Sequence, residues 1–229
     1  MEHPYLFFVE LLGLIGLGDF AHHHPHIVYM WVVMIMMIVL GALAGRSVHL
    51  IPTKIQNVAE WLIAEVETFM VSVTGEEGRR YFPYAMTLFT FIFIGNMVSL
   101  VPGFFAPTAS LNTTVALALC TFFLTHIIGF QFHGTHYYKH FIGPVWWMIP
   151  LILPIELVGH FARVLSLSFR LFGNMLGKEL TLMILFALAG LYLAPIPIMI
   201  LFIFAKLVQA LVFFLLSIMY FASAMEDAH

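Results

Sequence analysis

Long apolar runs separated by short polar stretches set the plan of this 229-residue chain. Residues 27–45 form a run long enough for a membrane crossing, which takes about 20 apolar residues as helix, with Tyr29 and Trp31 near one end where aromatic belts form. Residues 84–101 and 113–132 predict two more crossings, joined into a hairpin by residues 102–112, a connection without a charged side chain. Before that hairpin, Ile55, Val58, Leu62, Val66, Phe69 and Val73 recur at steps of three and four, with Glu60 and Glu67 on the polar side. That spacing predicts an amphipathic helix rather than a span, opened by Thr53 and Gln56 in capping-box spacing. The run at 150–193 is about forty residues, on the order of 60 Å as helix and twice the hydrocarbon thickness. No water-facing turn divides it, so it reads as one long tilted helix, antiparallel to the final run at 198–224 beyond Pro195 and Pro197.

The pattern describes an all-α polytopic membrane protein with about five membrane-crossing helices plus an amphipathic interfacial helix. It divides into an N-terminal external segment (1–26), a part with the first span, the amphipathic helix and the hairpin (27–145), and two long tilted helices (146–229). Within the first part, residues 5–18 are apolar but follow Glu2 rather than a basic residue, which favours an interfacial or re-entrant segment over a secretory signal. His22, His23, His24 and His26 around Pro25 read as a solvated loop.

Composition narrows the classes. Hydrophobic residues make up 62% of the chain and charged residues 9%, where a soluble domain carries roughly a quarter charged. The mean hydropathy is +1.01. A soluble enzyme is excluded. The lone Cys120 lies in an apolar run and rules out a disulfide framework or a cysteine-based metal site. A net charge of −3 without a clustered basic face argues against nucleic-acid binding. Arg46, Lys54, Arg79 and Arg80 fall in one connection and Lys139 in another, against none in 102–112 or 192–197. The positive-inside rule then puts the N-terminus outside and the C-terminus, with Glu226 and Asp227, in the cytoplasm.

Charge inside lipid is the remaining signal. Glu156, Arg163, Arg170, Lys178, Glu179 and Lys206 lie in the last two runs, where each costs about 2.5–3.5 kcal/mol on insertion scales unless paired or wetted. Glu156, Arg163 and Arg170 are seven apart and share a helical stripe that Asn174 continues; Glu179 leaves from the other side, farther along. Arginine stays protonated, so Arg170 cannot relay a proton but can repel a cation or attract a carboxylate. A carboxylate with His160 on the inner side, a fixed charge in the middle and a second carboxylate outside describe two dead-end paths with a barrier between them. On the last helix Lys206 and Gln209 lie one turn apart and begin a polar stripe.

The string Ser166-Leu167-Ser168-Phe169-Arg170-Leu171-Phe172-Gly173-Asn174-Met175, followed by Glu179, by Gln209-Ala210 and by the stretch from Tyr220 to Glu226, resembles the a subunit family of rotary F-type ATP synthases. The likeness spans essentially the whole chain and includes Asn112-Thr113-Thr114. It implies a non-catalytic stator subunit that packs two long tilted helices against a ring of c subunits, is held by the b-subunit peripheral stalk, and meets the F1 sector indirectly. It implies two offset half-channels for protons, no cofactor and no metal, with Arg170 as the barrier. Asn174, Glu179 and Gln209 match positions of the outer path and the arginine's surroundings, and Glu156 and Ser166 match the inner side. Where many members carry a histidine seven residues before the glutamine, this chain has Phe202. Lys206, His160 and Lys178 are then the ionisable candidates to accompany Glu179. A bacterial plasma membrane is the expected location, and the coupling ion rests on ring residues outside this chain.

Two other classes compete. A histidine-box metalloenzyme or haem protein would use His126, His133, His136 and His140, of which the last two have helical ligand spacing, but it would need further boxes. A secondary transporter with a site at Arg170 would show internal repeats, and the two halves share no motif.

Overall fold

The computed structural model describes residues 6–13, 16, 18–45, 54–101, 104–134, 149–189 and 195–226. Eight α-helices order these residues: α1 (Phe7–Gly13), α2 (Gly18–His23), α3 (Pro25–Gly45), α4 (Lys54–Thr74), α5 (Phe82–Val98), α6 (Leu111–His133), α7 (Ile149–Ala189) and α8 (Pro195–Met225). Single 3-10 stretches, Glu76–Tyr81 and Pro107–Ala109, lead into α5 and α6. Among the described residues there is no strand.

The surface is as apolar as the core, and several polar groups are buried among the packed helices. The exposed surface carries Trp31, Ile38 and Leu43 on α3 and Ile200, Leu201 and Phe204 on α8, whereas Asn96, Thr108, Thr114, Ser168, Lys206 and Gln209 are buried. Lipid solvates the former without cost and would leave the latter unpaired, so polar groups turn inward to bond one another. Four of the described helices are long and apolar enough to cross a membrane, at Pro25–Gly45, Glu76–Val98, Leu111–His133 and Pro197–Met225. Helix α7, a single rod of 41 residues and about 60 Å long at 1.5 Å per residue, is the predicted long helix.

Helices α7 and α8 run antiparallel in one register. The Asn174 side-chain amide donates to Gln209 Oε1. Eleven residues back along α7, the Arg163 guanidinium lies 5.6 Å from the ring centroid of Tyr220, eleven residues on along α8. Eleven residues are close to three whole turns, so the same two faces meet at both levels. Helices α5 and α6 pack on this pair, and α4 crosses the far end of α8. One core joins Val33 of α3, Ile92 of α5, Leu167 and Leu171 of α7 and Phe213 of α8; a second joins Met70 of α4 to Ile218 and Phe221 of α8.

Three expectations change. The predicted apolar stripe of α4 is covered only in its second half, where Val66, Met70 and Val73 meet α8, while Val58 is 65% and Trp61 is 61% exposed. The interior face of this helix therefore runs through Met70, four after Val66 and three before Val73, in place of Phe69, which is exposed. Gln56 is bonded to Glu60 at 2.7 Å, and Thr53, its predicted capping partner, lies outside the described residues. The histidines around Pro25 are not a loop: His22 and His23 close α2 and His26 lies in the first turn of α3, because Pro25 suits a helical N-terminus. The uncharged connection after α5 is also no simple surface turn. Its residues Ala106, Thr108 and Ala109 are buried, with Ala106 and Ala109 against Met175 of α7.

Candidate functional site

Arg170 sits at the middle of α7 with its side chain exposed, and among the described residues it has neither an ion-pair nor a hydrogen-bond partner. The same uncovered side of the helix carries Gly159, Ala162, Ser166, Gly173 and Gly177, all exposed at steps of three and four around the arginine. A Cβ built at Gly159, Gly173 or Gly177 would meet nothing within 4 Å. The packed side is different: Leu167, Leu171 and Met175, each four apart, are sealed against the bundle, and the buried Ser168 hydroxyl donates to the Val164 carbonyl at 2.8 Å and the Thr114 carbonyl at 3.5 Å. One helix thus has a locked face and a bare one, with Arg170 on the bare one.

Beside the arginine, Asn174 reaches across to Gln209, which is only 4% exposed. This amide pair ties α7 to α8 one turn past Arg170. A second polar group lies one turn nearer the α8 N-terminus. There Lys206, 2% exposed, donates from Nζ to Ser99 Oγ at 2.6 Å. The Ser99 hydroxyl donates in turn to the Asn96 carbonyl at 3.1 Å, Asn96 Nδ2 donates to the Lys206 carbonyl at 3.4 Å, and Thr108 Oγ1 donates to Asn96 Oδ1 at 2.7 Å. The ammonium is thereby turned to α5 and the buried connection.

The opposite half of the bundle holds a third group. His126 of α6 and His160 of α7 face one another with ring centroids 5.0 Å apart, and Phe122 packs on both. Thr121, Thr125, Arg163 and Tyr220 complete a cavity of about 10 Å³ around them, room for about one water. His160 is about ten residues, or roughly 15 Å, from Arg170 along the helix axis.

Of the residues singled out from sequence, Asn174 and Gln209 come together one turn from Arg170, Lys206 joins a neighbouring network, and Ser166 lies on the bare face. His160 stands in the far cavity. Glu156 and Glu179 are on α7, but their side chains lie outside the description. The histidine set is divided: His126 meets His160, His133 ends α6, and His136 and His140 lie outside the described residues. Among the described residues no three metal-ligating side chains gather. Asn96, Ser99 and Thr108 were not singled out from sequence, although each is a polar group in or beside an apolar run; His126 was named only with the competing histidine set, not beside His160.

An apolar exterior over long apolar helices, with a few polar groups buried between them and a charge on a bare helical face, defines a polytopic membrane protein. A family model described as ATP synthase A chain matches residues 27–222. The chain is 60% identical over 229 residues to ATP synthase subunit a of Desulfosudis oleivorans and 52% over 240 residues to that of Syntrophobacter fumaroxidans, each match covering 100% of both chains. A relative of the same name from Geobacter sulfurreducens is 43% identical over 232 residues, with the same coverage. The chain belongs to the ATP synthase A chain family and is a membrane subunit of the F-type ATP synthase.

Proposed function

We propose that the chain is the stator a subunit, that ions reach and leave a c-subunit ring through two offset half-channels, and that Arg170 is the charge barrier between them. The observation that carries this reading is the bare Arg170. A guanidinium at mid-membrane costs several kcal/mol unless paired, and its own chain supplies no counter-charge among the described residues. A carboxylate on a passing ring subunit supplies one, and the small residues flanking Arg170 let that subunit's backbone come close. The Asn96–Lys206 network with Glu179 then borders the outer path, and His160, Glu156 and Ser166 border the inner one. Asn174 and Gln209 hold the wall beside the arginine.

The subunit makes and breaks no covalent bond; it turns ion movement into ring rotation. One elementary charge moved through 100 mV is worth about 2.3 kcal/mol, so several ions serve each ATP and a leak past Arg170 wastes them directly. The b-subunit stalk holds the stator against the ring, and the F1 sector is reached indirectly. The membrane is the bacterial plasma membrane, with the N-terminus outside and the C-terminus cytoplasmic, and the ion is the proton. The test is ATP-driven pumping in inverted membrane vesicles with and without Na+. Arg170→Ala abolishes pumping, and a variant that pumps normally overturns the reading.

A further inference from the structure

We propose that His126 and His160 form a single-proton relay in the inner half of the bundle, reached through the crevice between α6 and α7; this rests on the reading of the chain as a stator subunit. The two imidazoles come from different helices, face one another at 5.0 Å between centroids, and share a cavity of about 10 Å³ with Arg163 and Tyr220. That space has room for about one water, and its lining offers the hydroxyl oxygens of Thr121 and Thr125. Both hydroxyls spend their hydrogens on carbonyls of their own helix, Leu117 at 3.1 Å and Thr121 at 2.8 Å. Their lone pairs remain to accept from a water or an imidazole N–H. The cavity is therefore built to hold a proton donor.

The charges around the pair limit its occupancy. From α7 it faces Arg163, from α8 Tyr220, and Glu156 lies one turn back from His160 on α7. Arg163 is held toward Tyr220 by the cation–π contact and carries a permanent charge. Two imidazolium ions side by side next to a guanidinium repel, so the pair takes one proton at a time. In the pumping direction a proton leaves cytoplasmic water, converts one imidazole to imidazolium, passes across the cavity to the other, and is released toward Ser166 and Arg170, roughly 15 Å on along α7, where a ring carboxylate takes it up; synthesis runs the same steps in reverse. Each imidazole ends neutral, and no other reactant is consumed. Histidine suits this place because its charge changes within the cytoplasmic pH range, whereas Arg170 never releases its proton.

The test uses inverted vesicles carrying the whole complex, with medium pH varied between about 5.5 and 8.5 and pumping normalised to the uncoupled ATP hydrolysis rate at each pH. His126→Gln and His160→Gln keep hydrogen bonding but cannot titrate. Each is expected to slow pumping by about tenfold and to flatten its pH profile, the double variant being no slower than the slower single. Wild-type rate and profile in both single variants overturn the proposal. If a variant fails to assemble, the wild type decides: its normalised profile follows medium pH and not lumen pH, and a profile set by the lumen overturns the proposal. Arg170→Ala is run alongside. Its normal pumping removes the stator reading, whereas its failure beside normal histidine variants removes the relay alone.

Discussion

The ammonium of Lys206 donates to the hydroxyl of Ser99 at 2.6 Å, joining the interior of α8 to the end of α5. A fully buried cation gains from each such acceptor, and leaving it short of one costs about 1.5–3 kcal/mol. Ser99→Ala is expected to lower the unfolding temperature of the detergent-solubilised complex, and Ser99→Ala with Lys206→Met to restore part of the loss, since the pair is then removed together. Equal stability of Ser99→Ala and wild type would take this contact out of the account.

Asn174 and Gln209 act as one wall segment. Their amides bond across the α7–α8 contact beside Arg170, so removing either partner releases the other. Asn174→Leu and Gln209→Leu are each expected to reduce pumping, and the double variant to be no slower than the worse single, as coupled neighbours behave. Multiplying losses in the pumping assay would show that the two residues act independently.

Gly173 tests the bare face. No atom lies within 4 Å of a Cβ placed there, so Gly173→Leu changes the stability of the chain itself by no more than about 1 kcal/mol, leucine being the better helix former. If a ring subunit passes over this face as proposed, insertion and abundance in the membrane, measured by immunoblot, stay at the wild-type level while ATP-driven pumping falls by about tenfold or more. Undiminished pumping would mean that nothing approaches this face.

The ion pair between Arg79 and Glu67, 2.6 Å long, lies at the surface with Arg79 61% exposed. An exposed pair adds little to stability and is screened by salt. Glu67→Gln is expected to leave pumping untouched and to shift thermal stability slightly, the shift vanishing in high salt. A large loss of activity would mark the end of α4 as part of the ion path.

The runs of apolar residues were legible because lipid imposes length and continuity on each crossing, and α7 was legible as one rod because nothing between its charges can turn in water. Arg170 stood out through the cost of its surroundings. The inner pairing was hidden, because the contact of His126 with His160 depends on how α6 lies on α7, and no local pattern reports a helix crossing. In sequence His126 belonged with His133, His136 and His140; packing gave it another neighbour. The burial of Thr108 was hidden for a related reason: a connection without charge looks the same whether it caps the bundle or enters it. On α4 the periodicity named a face, yet only neighbours decide how far along the rod that face is covered.

Interlocking side chains give two packed helices a few discrete registers, and shifting from one to the next means lifting every knob out of its hole. The track from Gly159 through Arg170 to Gly177 has almost no knobs. On the proposed reading a partner sliding along this strip, bordered by the exposed Val158, Leu165 and Phe169, would meet few side chains on the strip itself, and the feature standing out from it would be electrical. Such a strip would act as a bearing race with a single charged detent, position being set by attraction.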